Sequence, residues 1–413
     1  MPTKAPHIFF SVGEPSGDLH GANLIHALRQ QSPNIRISGF GGPKMRAAGM
    51  EQLADLTQLA VMWIVQAVVN LDKFWKLLRQ AETFFQTEQP AAVILIDYPG
   101  FNWWVARKAR KHNIPVYYYG APQIWAWGRW RIGKIRRLVD QILCKLPFEA
   151  TWYRDHGCDA QYVGHPYFDQ LVHQQLDKDF IQRQSRTDLP PLVTILPGSR
   201  TQEIHHNLPW LLKAAARIQQ RVDKVRFAIA SFNEAQAQIA RDLLANYDLP
   251  LEVHVDRTSE LIRVSHSCMA CSGSVSLELM YYTRPSVILY WLPRATYWMG
   301  SHLVQVKYMT LVNLLACEDR FDRSTAPYDP HAPGAEQVPF PEYPTCGDKS
   351  AELAEHIVEW LSNPREYQRR CDQLQALKER FCVPGASDMA ASHILRELAA
   401  RAEAAPSVDK RAA

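Results

Sequence analysis

The sequence predicts an α/β fold of two Rossmann-like, doubly wound parallel-sheet domains facing a central cleft. Three observations carry that expectation. Short runs that are apolar at every position, such as AVILI (Ala92–Ile96), suit strands covered by helices on both faces. These runs alternate with helical patterns in two series, and the second series restarts after a polar stretch. Several strands end in loops of small residues that open helices, a geometry that turns free backbone N–H groups toward an anionic ligand.

In order, His7–Val12 reads as the first strand, followed by the loop and helix GEPSGDLHGANLIHALRQ. Ser16, Gly17 and Asp18 are good loop and N-cap residues, and Leu19, Leu24, Ile25 and Leu28 form a helical apolar stripe. Residues 35–39 form a short second strand into the turn FGGPKMRAAG. Residues 59–79 read as an amphipathic helix with Trp63, Phe74 and Trp75. Ala92–Ile96 ends in Asp97 and YPGFN. Residues 116–119, 141–145 and 160–163 supply further strands, the last running into GHPYFD. Residues 169–191 are polar and proline-terminated, as an interdomain linker would be. The alternation resumes with strands at 193–196, 225–230, 251–255, 268–270 and 286–290. Residues 319–348, rich in Pro, Asp and Gly, read as a long loop or insertion. The expected organisation is a first domain over 1–180 and a second over 181–363. Helices at 364–398 are expected to pack back toward the first domain, ahead of a frayed tail at 399–413.

A chain of 413 residues accommodates two domains, and 47% hydrophobic with 21% charged residues excludes a disordered chain. A net charge of +4 is too mild to argue for nucleic acid, and none is expected as a partner. The 8 cysteines are scattered, and Cys268 and Cys271, the only close pair, read as small buried thiols without a completing metal cluster. The longest apolar stretch, residues 59–69, is too short to span a bilayer, and the start of the chain does not read as a signal peptide. A cytoplasmic location is expected, in contact with a membrane but not crossing it.

Ligands of open parallel sheets bind beyond the carboxyl ends of the strands. That rule puts Glu14, Ser16, Gly17, Asp18 and His20, then Asp97, then His165 on one wall. It puts Gly198, Ser199 and Arg200 of LPGSR on the other, with Ser272, Gly273, Ser274 and Glu278 of SGSVSLE. Arginine offers a planar, permanent charge suited to a diphosphate. Ser272–Ser274 reads either as a phosphate-binding turn or as a plain N-cap. Glu278 reads either as an acceptor for ribose hydroxyls or as a solvated helix residue. Asp97, a carboxylate directly after five apolar residues, suits a general base for an acceptor hydroxyl; capping the turn is its alternative use. His20 and His165 are equally compatible with satisfied structural histidines.

WAWGRWRIGKIRR at 125–137 interleaves Trp125, Trp127 and Trp130 with Arg129, Arg131, Lys134, Arg136 and Arg137. With residues 59–78 and the strip ILYWLPRATYWMG, it suggests an acyl-chain acceptor or a membrane dock; core packing plus a homodimer interface is the competing use.

GEPSGDLHGA, GFGGPKMRAAGM, DYPGFN, PQIWAW, LPFE, YVGHP, LPGSRTQEI and NLLA, in this order and spacing, resemble the lipid-A-disaccharide synthase family over about residues 7–316. The resemblance implies a GT-B type inverting glycosyltransferase at the cytoplasmic face of the inner membrane. It implies transfer of 2,3-diacylglucosamine from its UDP derivative to the 6-hydroxyl of 2,3-diacylglucosamine 1-phosphate. The products would be a β-1,6 disaccharide and UDP, with no metal or other cofactor. Asp97 matches the family's essential aspartate, Arg200 its LPGSR arginine, Glu278 its nucleotide-side glutamate and Asn313 the asparagine of PNLLA, where Val312 replaces the proline. The 319–348 segment departs from the family's brief VPE-like acidic segment. A non-hydrolysing UDP-sugar epimerase and a non-catalytic nucleotide- or lipid-binding relative share the architecture.

Overall fold

Two sheets, each parallel throughout, organise the chain. The computed structural model describes residues 6–58, 71–322 and 326–404. It separates into one unit of Met1–Val172 with Val383–Ala413 and another of His173–Cys382.

The first unit contains β1 (His7–Val12), β2 (Arg36–Gly41), β3 (Glu51–Asp55), β4 (Ala92–Ile96), β5 (Val116–Tyr119), β6 (Gln141–Cys144) and β7 (Ala160–Tyr162), in the order β3-β2-β1-β4-β5-β6-β7. Its helices are α1 (Pro15–Gln31), α2 (Pro43–Ala47), α3 (Leu71–Glu88), α4 (Pro99–Lys111), α5 (Ile124–Trp127), α6 (Ile132–Leu138), α7 (Pro147–Asp155) and α8 (Pro166–His173). Ile8, Phe10 and Val12 alternate to one face of β1 and pack with Leu24, Ile25 and Leu28 of α1. Phe9 points to the other face, edge-on to Phe40 and Phe85.

The second unit contains β8 (Leu192–Leu196), β9 (Arg226–Ser231), β10 (Leu251–Val255), β11 (Ser267–Cys271), β12 (Ser286–Trp291) and β13 (Glu342–Thr345), in the order β10-β9-β8-β11-β12-β13. Counted from its own first strand, this is the order 3-2-1-4-5-6, which the first six strands of the first unit also follow before its added seventh. Its helices are α9 (Lys178–Gln184), α10 (Thr201–Gln219), α11 (Glu234–Leu244), α12 (Thr258–Val264), α13 (Val275–Tyr281), α14 (Arg294–Leu303), α15 (Leu311–Ala316), α16 (Ser350–Ser362) and α17 (Pro364–Phe381).

The chain then returns to the first unit as α18 (Ala386–Ala404). The carboxylate of Asp169 holds it there, accepting from the backbone N–H groups of Gly385, Ala386 and Ser387 and from Ser387 Oγ at 2.6–3.2 Å. Ala390, Ile394 and Leu398 join the same core as β1 and α1.

Several elements differ from the sequence expectation. The units divide at 172/173 and 382/383, so α17 stays with the second unit and only α18 belongs to the first. Residues 169–191 include the end of α8 and all of α9, which starts where Asp177 accepts from the N–H of Phe180. The 319–348 segment is not all loop, because it ends in β13. Its Pro344 disguised the strand, but β13 is the sheet edge, where a proline costs no ladder bond that must be made. Of the helix expected over 59–79, residues 59–70 with Trp63 lie outside the described residues, as do 405–413 of the expected tail; α18 itself reaches Ala404. No helix among the described residues is long and apolar enough to cross a membrane.

Candidate active site

In the first unit β1 and β4 are neighbours and run level, with Val12 beside Ile96. Residue 13 onward and Asp97 therefore emerge together where the strand order reverses, the usual ligand crevice of such a sheet. Asp97 and Tyr98 both carry left-handed backbone, φ +45° and +41°, an arrangement that non-glycine residues hold only when their surroundings impose it. Buried Asn102 imposes it. Its Nδ2 reaches the carbonyls of Asp97 (2.8 Å), Ile96 and Ser11, while Ser11 Oγ donates to its Oδ1. Tyr118 Oη adds a 2.6 Å bond to the Asp97 carbonyl. The Asp97 carboxylate is thus turned away from its own turn, which leaves it free of the capping use considered for it. It pairs with Lys145, whose Nζ lies 3.3 Å from Oδ1, with side chains 18% (Lys145) and 20% (Asp97) exposed.

Lys145 follows β6 directly, two strands away from Asp97, and reaches over the end of β5. Gly120 there has φ +66°, and a Cβ on it would lie 2.7 Å from Lys145 Cε. Burial disfavours the ammonium, but the Asp97 and Glu149 carboxylates more than offset this and hold Lys145 above the ordinary lysine value. Glu149 is itself fixed by Trp125 Nε1 and the N–H groups of Lys145 and Leu146. The PQIWAW and LPFE motifs are therefore mated inside the protein, and Trp125 is buried instead of belonging to the exposed aromatic strip. Trp127 and Trp130 do belong to it, with the Arg131 guanidinium 4.5 and 5.5 Å from their ring centroids.

The other first-wall residues separate into two groups. Glu14 and Ser16 are exposed at the start of α1. Ser16, Gly17 and Asp18 lie inside the helix, not in a preceding loop. A Cβ on Gly17 would meet Val12 Cγ1 at 2.9 Å and Asp97 Oδ2 at 3.5 Å, so this turn of α1 lies directly against the carboxylate. Asp18 caps α2, its carboxylate accepting from the N–H groups of Gly42, Lys44 and Met45. His20 and His165 are buried and held neutral. Burial first and Lys145 second bring His20 down to about 4, and the same two causes lower His165 well below its ordinary value. His165 Nδ1 accepts from the N–H of Tyr167.

In the second unit β8 and β11 occupy the equivalent reversal. Gly198 takes φ +127° because Glu203 folds back over it, its Oε2 2.6 Å from where a Cβ would be. That Oε2 accepts from the N–H groups of Ser199 and Arg200 at 2.9 and 3.2 Å. These two amides, expected to meet a phosphate, are therefore satisfied by Glu203. The Arg200 guanidinium is 79% exposed and pairs with Glu203 Oε1 at 2.8 Å. Gly273 and Ser274 are exposed, with no atom near a Cβ on Gly273, and Ser276 Oγ donates to the Gly273 carbonyl. Glu278 is buried, which removes the solvated reading.

Asn313 is buried with its amide used internally. Nδ2 donates to the Phe340 carbonyl and Glu342 Oε2, and Oδ1 accepts from the N–H of Phe340. These bonds fasten α15 to β13 and the residues before it. Glu342 completes this clamp by accepting from the N–H groups of Met309 and Thr310, next to the Ser272 hydroxyl. Cys268 and Cys271 are buried thiols, each pushed up to about 12 by burial. No group of His, Cys, Asp and Glu among the described residues could hold a metal ion.

Lys145, Asn102 and Glu342 were not singled out from the sequence. Lys145 carried the same mark as Asp97, a charge directly after a buried strand, and could have been found by it. Asn102 joins its own turn to Ser11, 91 residues away, and Glu342 bonds residues 29 to 33 positions away, so neither role can be read from local sequence alone.

The model of the family described as lipid-A-disaccharide synthetase matches residues 8–324. The lipid-A-disaccharide synthase of Nitrosococcus oceani is 33% identical over 318 residues, covering 77% of this chain and 82% of that protein. Those of Syntrophus aciditrophicus and Geobacter sulfurreducens are each 31% identical, covering 93% and 95% of this chain and 96% and 97% of theirs. Among solved structures, S. aureus MnaA with UDP superposes with a TM-score of 0.63 at 12% identity, covering 95% of this chain and 97% of that one. The calicheamicin glycosyltransferase CalG4 gives 0.58 at 14% identity, covering 97% and 100%. At such identities these two likenesses concern the fold alone.

Proposed function

Because the chain belongs to the lipid-A-disaccharide synthase family, we propose that it joins two acylated glucosamines in the manner of a UDP-sugar-dependent inverting glycosyltransferase. The donor is UDP-2,3-diacylglucosamine and the acceptor 2,3-diacylglucosamine 1-phosphate. Asp97 takes the proton of the acceptor 6-hydroxyl as that oxygen attacks the donor's anomeric carbon. The bond from that carbon to the diphosphate breaks with its electron pair leaving on UDP, and a β-1,6 link forms with inversion. Arg200, with Gly198, Ser199 and the Ser272–Ser274 turn around it, takes the diphosphate, and Glu278 serves the nucleotide side. Glu14, Ser16, Gly17, His20 and His165 belong to the acceptor side. Charge on the leaving group is met by arginine without a resident metal.

The observation that carries this reading is the turn at Asp97, a carboxylate held in left-handed backbone by Asn102 and Tyr118 at the sheet's reversal point. Contact with the cytoplasmic face of the inner membrane is proposed through the first unit, where Arg107 stacks on exposed Trp104 and Arg131 on Trp127. A homodimer through the same surface is the competing use, and sedimentation velocity without lipid separates the two.

The test is UDP release from UDP-2,3-diacylglucosamine plus the 1-phosphate acceptor. Asp97→Asn keeps the turn's backbone bonds and should lower turnover by about 100- to 10,000-fold. Turnover by Asp97→Asn within a few-fold of wild type removes Asp97 as the base.

A further inference from the structure

The helix α14 (Arg294–Leu303) has no buried residue along its ten positions. Helices of this length are marginal in water on their own, and in proteins most of their stability comes from packing one face. Here that face is formed and left open. Ala295, Trp298, Met299 and Leu303 follow the i, i+3, i+4, i+8 spacing that puts side chains on one side of a helix. Trp298, Met299 and Leu303 are 65%, 53% and 50% exposed. The helix is nonetheless firmly rooted. The N–H of Trp291 before it donates to Asn207 Oδ1 at 3.0 Å and its ring lies against His206 and Trp210, while Val306 after it is buried.

The sequence around this face carries charge of one sign. No Asp or Glu occurs from Trp291 through Cys317, whereas Arg294 opens the helix and Lys307 follows it. An apolar helical face bearing tryptophan, flanked by cations and free of acids, complements an anionic lipid surface.

We propose that α14 is a second membrane-docking element, belonging to the unit that carries the diphosphate loop, with its Trp298–Met299–Leu303 face inserted among anionic lipid headgroups. The inference rests on the membrane reading above and extends it from the first unit to the second. Its functional consequence is that the donor's acyl chains can stay in the bilayer while the sugar nucleotide is bound, because the donor-binding unit has its own hold on the surface.

The test is cosedimentation of the full chain with phosphatidylcholine vesicles containing phosphatidylglycerol, comparing wild type with Trp298→Ser/Met299→Ser/Leu303→Ser. The variant should bind about tenfold to hundredfold more weakly, with a thermal transition close to wild type because all three side chains are at least half exposed and Trp298 loses only its contact with the His302 ring of the same helix. Arg294→Gln/Lys307→Gln should weaken binding to the anionic vesicles only, and salt should reproduce that loss. Absence of wild-type binding overturns the membrane reading and this inference with it. Full binding by the triple variant, while Trp127→Ser/Trp130→Ser loses it, overturns this inference alone. An altered oligomeric state of the triple variant with vesicle binding intact assigns the face to a second copy instead, and also overturns it.

Discussion

Replacing Lys145 with methionine removes the cation beside Asp97 while keeping a chain of similar length. The pair is 3.3 Å apart and each side chain is about one-fifth exposed. It therefore lies between exposed pairs, worth about 0.2–1 kcal/mol, and fully buried ones, where loss of one partner costs about 3–5 kcal/mol. About 2–3 kcal/mol is the expected loss at this burial, or roughly 30- to 150-fold in kcat/KM if the pair persists into the transition state. Lys145 touches no reacting atom in this scheme; it positions the base through the 3.3 Å contact. Because the base is displaced and not removed, the loss should fall mainly on kcat with KM little changed. Lys145→Arg retains the charge but must fit the narrow space over Gly120, where a Cβ would already lie 2.7 Å from the lysine chain, so it should rescue only partly. The assay is UDP release at varied substrate concentration, with thermal unfolding measured alongside. A Lys145→Met enzyme with kcat and kcat/KM within twofold of wild type refutes the reasoning.

Asp169→Ala should detach α18 from the first unit, because it strands three backbone N–H groups and one hydroxyl; about 3 kcal/mol of stability should be lost. The check is a lower unfolding midpoint with new protease cleavage near residues 383–385. His20 titrates at about 4 when folded, against an ordinary 6.5, so the unfolded chain binds its proton first as pH falls. Stability from this residue is therefore intact above pH 6.5 and drains between 6.5 and about 4, by about 3 kcal/mol in all. His20→Gln should flatten that part of a stability–pH curve measured by denaturant unfolding, and an unchanged slope there would contradict the neutral, buried state.

The two-sheet architecture was legible because each strand's apolar run and each small-residue turn is local. The reversal rule then placed Asp97 and LPGSR without any knowledge of contacts. What the sequence did not disclose depends on partners distant along the chain. Asp18 and Asn313 stand where ligand residues would by position, but their side chains bond the start of α2 and Glu342 of β13, 24 and 29 residues away. β3, with the polar sequence EQLAD, has no strand pattern and is held by pairing to β2 at the sheet edge. β13 was obscured by prolines that only an edge position tolerates.

The LPGSR loop follows β8 at the reversal of the second sheet, and its own residues already use part of what the motif offers. Its amides look available in sequence, yet Glu203 Oε2 already accepts from Ser199 and Arg200. The guanidinium of Arg200 uses the other oxygen, Oε1, and is 79% exposed. Turning Arg200 toward a diphosphate therefore breaks only an exposed ion pair, at about 0.2–1 kcal/mol, and leaves Oε2 holding the loop in shape. A doubly charged diphosphate offers the arginine a bidentate partner at least as strong as the carboxylate it leaves. On this accounting Glu203 is the loop's internal anion and Arg200 its mobile cation. In the proposed role of this loop, it is preorganised before UDP arrives, and nucleotide binding need not be coupled to any rearrangement of its backbone.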